Sequence, residues 1–249
     1  MARAKLQAVL LLVVVFMINL AETALEGRWS PAVTERGLEL ASALHWLEGS
    51  AAFENHDVTN VIAVYGYSIA YFVLFPLLAL AVGWALASRR DPGAFRTYAF
   101  AIATAYALSL PFFLLFPVPE RWAYPDASAI LLSDLWDSRL INAFRPMSAL
   151  DNCFPSFHTS MTVVAVLCCF VHHIAFRWTV VPLGLSVLLS TYSLGVHWIG
   201  DVMAGTAIGV ISVAVACRIE SRVAATTPLP DEEKTRSQWR LSRLEPSST

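Results

Sequence analysis

Residues 155–217 read PSFHTSMTVVAVLCCFVHHIAFRWTVVPLGLSVLLSTYSLGVHWIGDVMAGTAIGVISVAVAC. Three apolar runs lie in this stretch: about His158 to Phe176, Thr179 to Val196 and Val202 to Cys217. Each approaches the roughly 20 residues that a helix needs to cross a bilayer. They are apolar all round rather than striped, as lipid-facing helices require. The ionisable residues fall at the junctions. His158 opens the first run, His197 closes the second and Asp201 opens the third. A charged side chain at a helix centre costs about 2.5–3.5 kcal/mol on insertion scales, so such placement carries information. Between His158 and His197 the chain goes in and comes back, two passes of roughly 30 Å. Topology alone therefore returns all three groups to one depth.

Outward from this stretch the pattern repeats. Further apolar runs cover about Leu6 to Leu20, Val61 to Ala87 and Tyr98 to Phe116. Pro76, Pro111 and Pro182 lie inside spans, where neighbouring helices tolerate a kink. The composition agrees: 57% of residues are hydrophobic and 14% charged, and mean hydropathy is +0.58. A soluble domain carries about 25% charged residues, so a soluble globule is excluded. A net charge of −2 gives no basic excess for nucleic acid. Cys153, Cys168, Cys169 and Cys217 make no disulfide framework and read as small packing residues. The expected fold is all-α, a polytopic membrane bundle of six helices.

The Lys/Arg bias sets the orientation. With the N-terminus in the cytoplasm, twelve of the 17 Lys and Arg residues fall on the cytoplasmic side and five on the other. Both termini are then cytoplasmic, in a cell (inner) membrane. Residues 1–221 form the membrane domain, and 222–249 a polar tail expected to be disordered. Arg3 and Lys5 before a short apolar run also suit a signal peptide, but residues 21–24 offer no clean cleavage site, and a retained span is expected. The outer loops, about 22–60 and 117–157, carry apolar faces. Leu40, Leu44 and Leu47 share one, after a helix start at Ser30–Pro31. Leu131, Leu132, Leu135, Trp136 and Leu140 make a second. Both are expected to be short interfacial helices, either a platform for a lipid or packing over the bundle.

The junctions also carry chemistry. Pro155 suits a helix start, and the first-turn amides of Ser156, Phe157 and His158 would make an anion site with the helix dipole. The Ser156 hydroxyl adds a donor, and Arg145 before Pro146 adds a cation. His197 and Asp201 are four residues apart, so a helical turn puts them on one face. A carboxylate there fixes the imidazole tautomer. Asp201 also stands where it could cap the following helix. Gly205 and Gly209 read as close helix packing, and His172 and His173 as interfacial side chains.

Pro155-Ser-Phe-His158, followed by Ser190-Thr191-x5-His197-x3-Asp201, resembles the type 2 phosphatidic acid phosphatase superfamily. Its pattern is K-x6-RP, then PSGH, then SR-x5-H-x3-D. The resemblance implies a six-span, metal-independent lipid phosphatase or phosphotransferase. It implies His197 as nucleophile, Asp201 as its orienting group and His158 as acid to the leaving group. Ser156, the Phe157 amide, Arg145 and Arg139 would hold the phosphate. Phe157 replaces the Gly of PSGH, Thr191 the Arg and Ser138 the Lys, with Arg139 one residue nearer Arg145. This looser pattern is similar to the branch that holds inositolphosphotransferases acting on ceramide. Thr191 and Tyr192 would then line the acceptor side.

The expected partners are a membrane lipid substrate and the bilayer, with homo-oligomerisation left open and no cofactor. A transporter would also place ionisable groups in a bundle, but no carboxylate or cation sits mid-span here. An intramembrane serine protease leaves Asp201 and Arg145 unexplained. Zinc on His158, His197 and Asp201 is chemically feasible, though no spacing demands it.

Overall fold

The computed structural model describes residues 2–49, 60–135 and 150–226. Among these the chain is helical, without a strand. Helix α1 is Ala2–Thr23 and α2 is Pro31–Glu48. Val61–Ala87 forms α3 and Pro92–Leu115 forms α4. Phe157–Val171 is α5, Arg177–Ser193 is α6 and Ile199–Thr226 is α7. Helices α1, α3, α4 and α7 are long and apolar enough to cross a membrane. Helices α5 and α6, with 15 and 17 residues, fall short of that length.

The helix starts follow local chemistry. Asn60 accepts the Ile62 and Ala63 amides at the head of α3. Asp91 accepts the Gly93 amide, ahead of Pro92 at the first position of α4. Pro31 opens α2 directly after Ser30. Within α3, residues Ala70–Leu74 form a π turn closed by the Phe75 amide on the Ala70 carbonyl. Pro76 follows immediately; lacking an N–H, it cannot continue the regular ladder, and the wider turn absorbs the mismatch. The same turn carries Tyr71 and Phe72 inward, where both are buried.

The bundle has two chemically different ends. At one, Lys5 donates to the Ala87 and Arg89 carbonyls at 2.7 and 2.9 Å. At that same end Arg96 of α4 pairs with Glu220 of α7 through two hydrogen bonds. Between the ends, buried Ala94, Ala99, Ala101 and Ala105 let α4 approach its neighbours closely. Cys168 and Cys169 fill the same core.

The other end is built from loops and α2. A Cβ on Gly37 would lie 2.1 Å from the Pro117 carbonyl oxygen, so only glycine allows α2 to settle on that loop. Ala41 and Leu44 pack there with Val118, Tyr124 and Trp198. Trp46 and Leu47 point away and are exposed. Of the second loop face, Leu132–Leu135 form a 3-10 turn, with Leu132 buried beside Leu194. Trp136 and Leu140 lie outside the described residues, as does the tail from 227 onward.

The glycines of α7 set how closely it meets α5. A Cβ on Gly205 would lie 2.4 Å from the Ser156 carbonyl oxygen, and one on Gly209 would lie 2.8 Å from Val163 Cβ. Ser160 reinforces the seam by donating to the Gly205 carbonyl at 2.9 Å. The start of α5 is thereby held against the first turns of α7.

Candidate active site

Two chain reversals bring the site together. Helix α6 ends near Gly195, whose φ of +80° is a left-handed conformation that glycine adopts without penalty. The chain then passes through His197 and buried Trp198 into α7. Trp198 is wedged beside Tyr124 and donates its indole N–H to the Pro119 carbonyl at 3.2 Å. On the other side Ser156 is the N-cap of α5, its hydroxyl oxygen accepting the Thr159 amide at 3.2 Å.

The segment Val118–Trp122 binds both halves. Cys153 N donates to the Val118 carbonyl at 3.1 Å, and Glu120 N to the Leu150 carbonyl at 2.8 Å. Facing the other way, Arg121 N and Trp122 N donate to the Val196 and Gly195 carbonyls at 3.1 and 2.9 Å. A direct bond closes the ring, from Ser156 N to the Asp201 carbonyl at 3.1 Å.

His197 is buried. Its Nδ1 lies 3.3 Å from Asp201 Oδ2 and 3.1 Å from Cys153 Sγ. Its Nε2 is buried without a hydrogen-bond partner among the described residues. An aspartate at Nδ1 holds the ring proton there and leaves the Nε2 lone pair free. Asp201 Oδ2 also accepts the Trp198 amide at 2.8 Å, so the third residue of α7 caps the helix start. Capping and orienting the histidine are done by one oxygen. Two more first-turn amides of α7, Ile199 and Gly200, are taken by Glu48 of α2. Burial pushes the Glu48 carboxyl above its usual range, against those amide bonds and the Arg121 charge.

His158 is the second residue of α5. Its ring centroid lies 5.8 Å from that of His197. Tyr71 and Phe75 of α3 flank it, each with ring centroids 4.8 Å away. His158 and His197 both line a cavity of about 700 Å³ between α1, α3, α4 and α5. Phe157 also lines it and meets Tyr106 edge to face. Away from the histidines the cavity is apolar and runs past Phe75 to Leu80 and Trp84.

The anion site is smaller than the sequence suggests. The Ser156 amide is spent on Asp201, and its hydroxyl oxygen on capping. The Phe157 and His158 amides keep no partner among the described residues. Thr191 and Tyr192 stand behind His197 instead of in the cavity. Thr191 is buried, donates its hydroxyl to the Leu188 carbonyl and accepts the His197 amide. The Tyr192 ring lies 4.7 Å from the Arg121 guanidinium. Arg139 and Arg145 fall outside the described residues.

Cys153 packs in a buried apolar cluster, as composition suggests, and its thiol also reaches the site. Its thiol lies 2.9 Å from Asp201 Oδ2, 3.1 Å from His197 Nδ1 and 3.2 Å from the Val196 carbonyl. Burial and the Asp201 carboxylate push the thiol well above its ordinary range, which keeps it protonated. Glu120 and Arg121, both buried beside the site, were also not singled out by motif reading. Their signal was a charged pair directly after Pro117-Val-Pro119 at the end of a span.

A family model described as the PAP2 superfamily matches residues 36–215. That stretch includes most of α2, both halves of the site and the Val118–Trp122 segment that joins them. No curated protein and no solved structure matches the chain.

Proposed function

The chain belongs to the PAP2 superfamily, and on that premise we propose that it is an integral-membrane phosphatase or phosphotransferase working through a phosphohistidine on His197. Its substrate is a lipid phosphate, a lipid pyrophosphate or a phospholipid head group. The state of the His197 ring carries the reading. Nδ1 is engaged by Asp201 and Cys153, while Nε2 has no partner among the described residues and lies beside a cavity.

The steps balance without a metal. The Nε2 lone pair attacks phosphorus and the P–O bond to the leaving group breaks. Protonated His158 gives its proton to the departing oxygen. Asp201 offsets the positive charge that develops on the His197 ring. The Phe157 and His158 amides, with Arg145 and Arg139 of the preceding segment, take the phosphoryl oxygens. An acceptor hydroxyl then attacks the phosphohistidine, loses its proton to His158 and regenerates His197.

The cavity supports an amphiphilic substrate. Its polar end holds the two histidines, and its walls follow α3 from Tyr71 to Ala87. Sixteen residues of helix rise about 24 Å, the length of a long acyl chain. Phe16, Leu80 and Trp84 line it and are exposed at the bundle surface, where a lipid would slide in sideways. Because Thr191 and Tyr192 stand outside the cavity, the acceptor enters from the cavity side. Water makes the protein a phosphatase. A lipid hydroxyl makes it an inositolphosphotransferase-like head-group transferase, the alternative that the Thr191 and Ser138 replacements resemble.

The membrane arrangement belongs to the same proposal. Six passes, both termini cytoplasmic, put the site at the non-cytoplasmic face, with α2 over it. Lys5, Arg89 and Arg96 at the opposite end of the bundle support that orientation. Residues 1–221 are the membrane domain and 222–249 its tail.

The test is incubation of the purified protein with radiolabelled lipid phosphates, lipid pyrophosphates and inositol phospholipids, with and without diacylglycerol or ceramide. Labelled phosphate alone identifies a phosphatase, and a new labelled phospholipid a transferase. Either product should vanish in His197→Ala. Full turnover in that variant would overturn the reading.

A further inference from the structure

We propose that Cys153, His197 and Asp201 form a binding site for one soft divalent cation, typified by Zn²⁺, and that its occupancy switches the protein off. The three residues offer a thiol, an imidazole and a carboxylate, the ligand set that zinc takes most readily. Their facing atoms are already close to the right places. Sγ to Nδ1 is 3.1 Å, Sγ to Oδ2 is 2.9 Å and Nδ1 to Oδ2 is 3.3 Å. Bonds of about 2.3 Å to sulfur and 2.0–2.2 Å to nitrogen and oxygen, set tetrahedrally, need edges of about 3.4–3.6 Å. The triangle has to open by less than an ångström along each edge. A second observation concerns Asp201. Its other oxygen, Oδ1, is buried and has no hydrogen-bond partner among the described residues. Oδ2 is the oxygen that faces the thiol and the imidazole, so with Oδ2 on the metal the carboxylate still has Oδ1 unspent for the Trp198 amide.

Charge favours the occupied state. Zn²⁺ with one thiolate, one carboxylate and one neutral imidazole sums to zero, and a buried site penalises any net charge. Cys153 and His197 both line the cavity, which supplies a route in. The fourth position stays open to water. His158 is not part of this set. Its ring sits between Tyr71 and Phe75, 5.8 Å from that of His197, and Cys153 takes the place that sequence reading gave it.

The switching follows from proton bookkeeping. The metal displaces the Cys153 thiol proton to solvent. It occupies His197 Nδ1, so the ring proton moves to Nε2. Nε2 then has no lone pair for phosphorus, and Asp201 is tied to the metal. This half of the inference rests on the proposed function. Binding itself does not.

The experiment uses the full-length chain, purified in detergent through a tag without histidines and stripped with EDTA. Zn²⁺ is titrated against a chromophoric chelator, and Co²⁺ is followed by absorption. One equivalent of Zn²⁺ should bind, with a thiolate-to-cobalt charge-transfer band in the near ultraviolet. Cys153→Ser should lose the band and weaken Zn²⁺ by at least about tenfold. Cys217→Ser, altered far along α7, should keep both. Asp201→Asn should weaken Zn²⁺ as well, which keeps the test intact if Cys153→Ser fails to fold. Equal affinity in wild type and these site variants, or a cobalt spectrum without the thiolate band, would overturn the site. In the lipid assay one equivalent of Zn²⁺ should stop turnover and EDTA should restore it. Turnover unaffected by bound Zn²⁺ would overturn the switch. If no lipid is turned over at all, the proposed function fails while the titration still decides the site.

Discussion

Asp201 shows how much one residue carries here. Its Oδ2 caps α7 through the Trp198 amide, faces His197 Nδ1 and accepts the Cys153 thiol. Its backbone carbonyl holds the Ser156 amide of the opposite motif. Spacing alone made capping and histidine orientation look like rival readings, because both follow from a carboxylate in the first turn of a helix. The geometry makes them one role. Asp201→Asn separates the charge from the cap. An asparagine oxygen can still accept the Trp198 amide, so the thermal midpoint should move little. The negative charge beside the imidazole is lost, and kcat should fall roughly 10²- to 10⁴-fold, with KM changing much less. Asp201→Ala should lose the same activity and about 1 kcal/mol of stability besides. Parallel melting curves and steady-state kinetics on both variants check this. An Asn variant with wild-type kcat would remove Asp201 from the chemistry. Cys153 is the complementary lesson. Its flanks, Asn152 and Phe154, give no hint of a polar partner, so composition assigned it to packing. Only the fold places it against a carboxylate and an imidazole.

At the scale of elements, the helices were the legible part. Run length and all-round apolarity located α1 and α3 to α7, because a span has to be apolar wherever it meets lipid, but not their polar ends: α4 starts at Pro92 instead of Tyr98 and α7 runs on from Cys217 to Thr226. The Ser30–Pro31 start of α2 was equally readable. The strap at Val118–Trp122 was not. Its hydrogen bonds go to irregular backbone at Leu150, Gly195 and Val196, and no local pattern encodes such pairing. Nor was the π turn before Pro76, where a proline forecasts only some break in the ladder. The α7 glycines were read as packing, and the structure adds what they pack. Gly205 lies under the carbonyl of the α5 N-cap, so an added methyl would push the two halves of the site apart. Gly205→Ala should cost about 1–3 kcal/mol, lower the thermal midpoint by several degrees and depress turnover with it. Gly66→Ala, with open space around its added methyl, is the control. It should leave the midpoint unchanged or raise it, since alanine is the better helix former. Equal melting of the two variants would show that the α5–α7 seam is not what holds the site.

For the whole molecule, the chain is a helical PAP2-superfamily protein with four helices, among the described residues, fit to cross a membrane. Its candidate site residues gather at the end remote from Lys5 and Arg96. The junction positions of His158, His197 and Asp201 forecast that gathering, because α5 and α6 carry the chain away and back between them. Sequence could not supply the apolar cavity that ends on the two histidines, since its walls come from four helices far apart in the chain. Nor could it show that Thr191 and Tyr192 lie behind His197. On the proposed function, His197 Nε2 carries the phosphoryl group between donor and acceptor. The most direct test is rapid acid-free quenching of the purified protein during turnover of a ³²P-labelled lipid phosphate, followed by peptide mapping. An acid-labile, base-stable label is expected on the peptide containing His197, absent from His197→Ala and chased by unlabelled substrate. Label on another residue, or full turnover in His197→Ala, would contradict it.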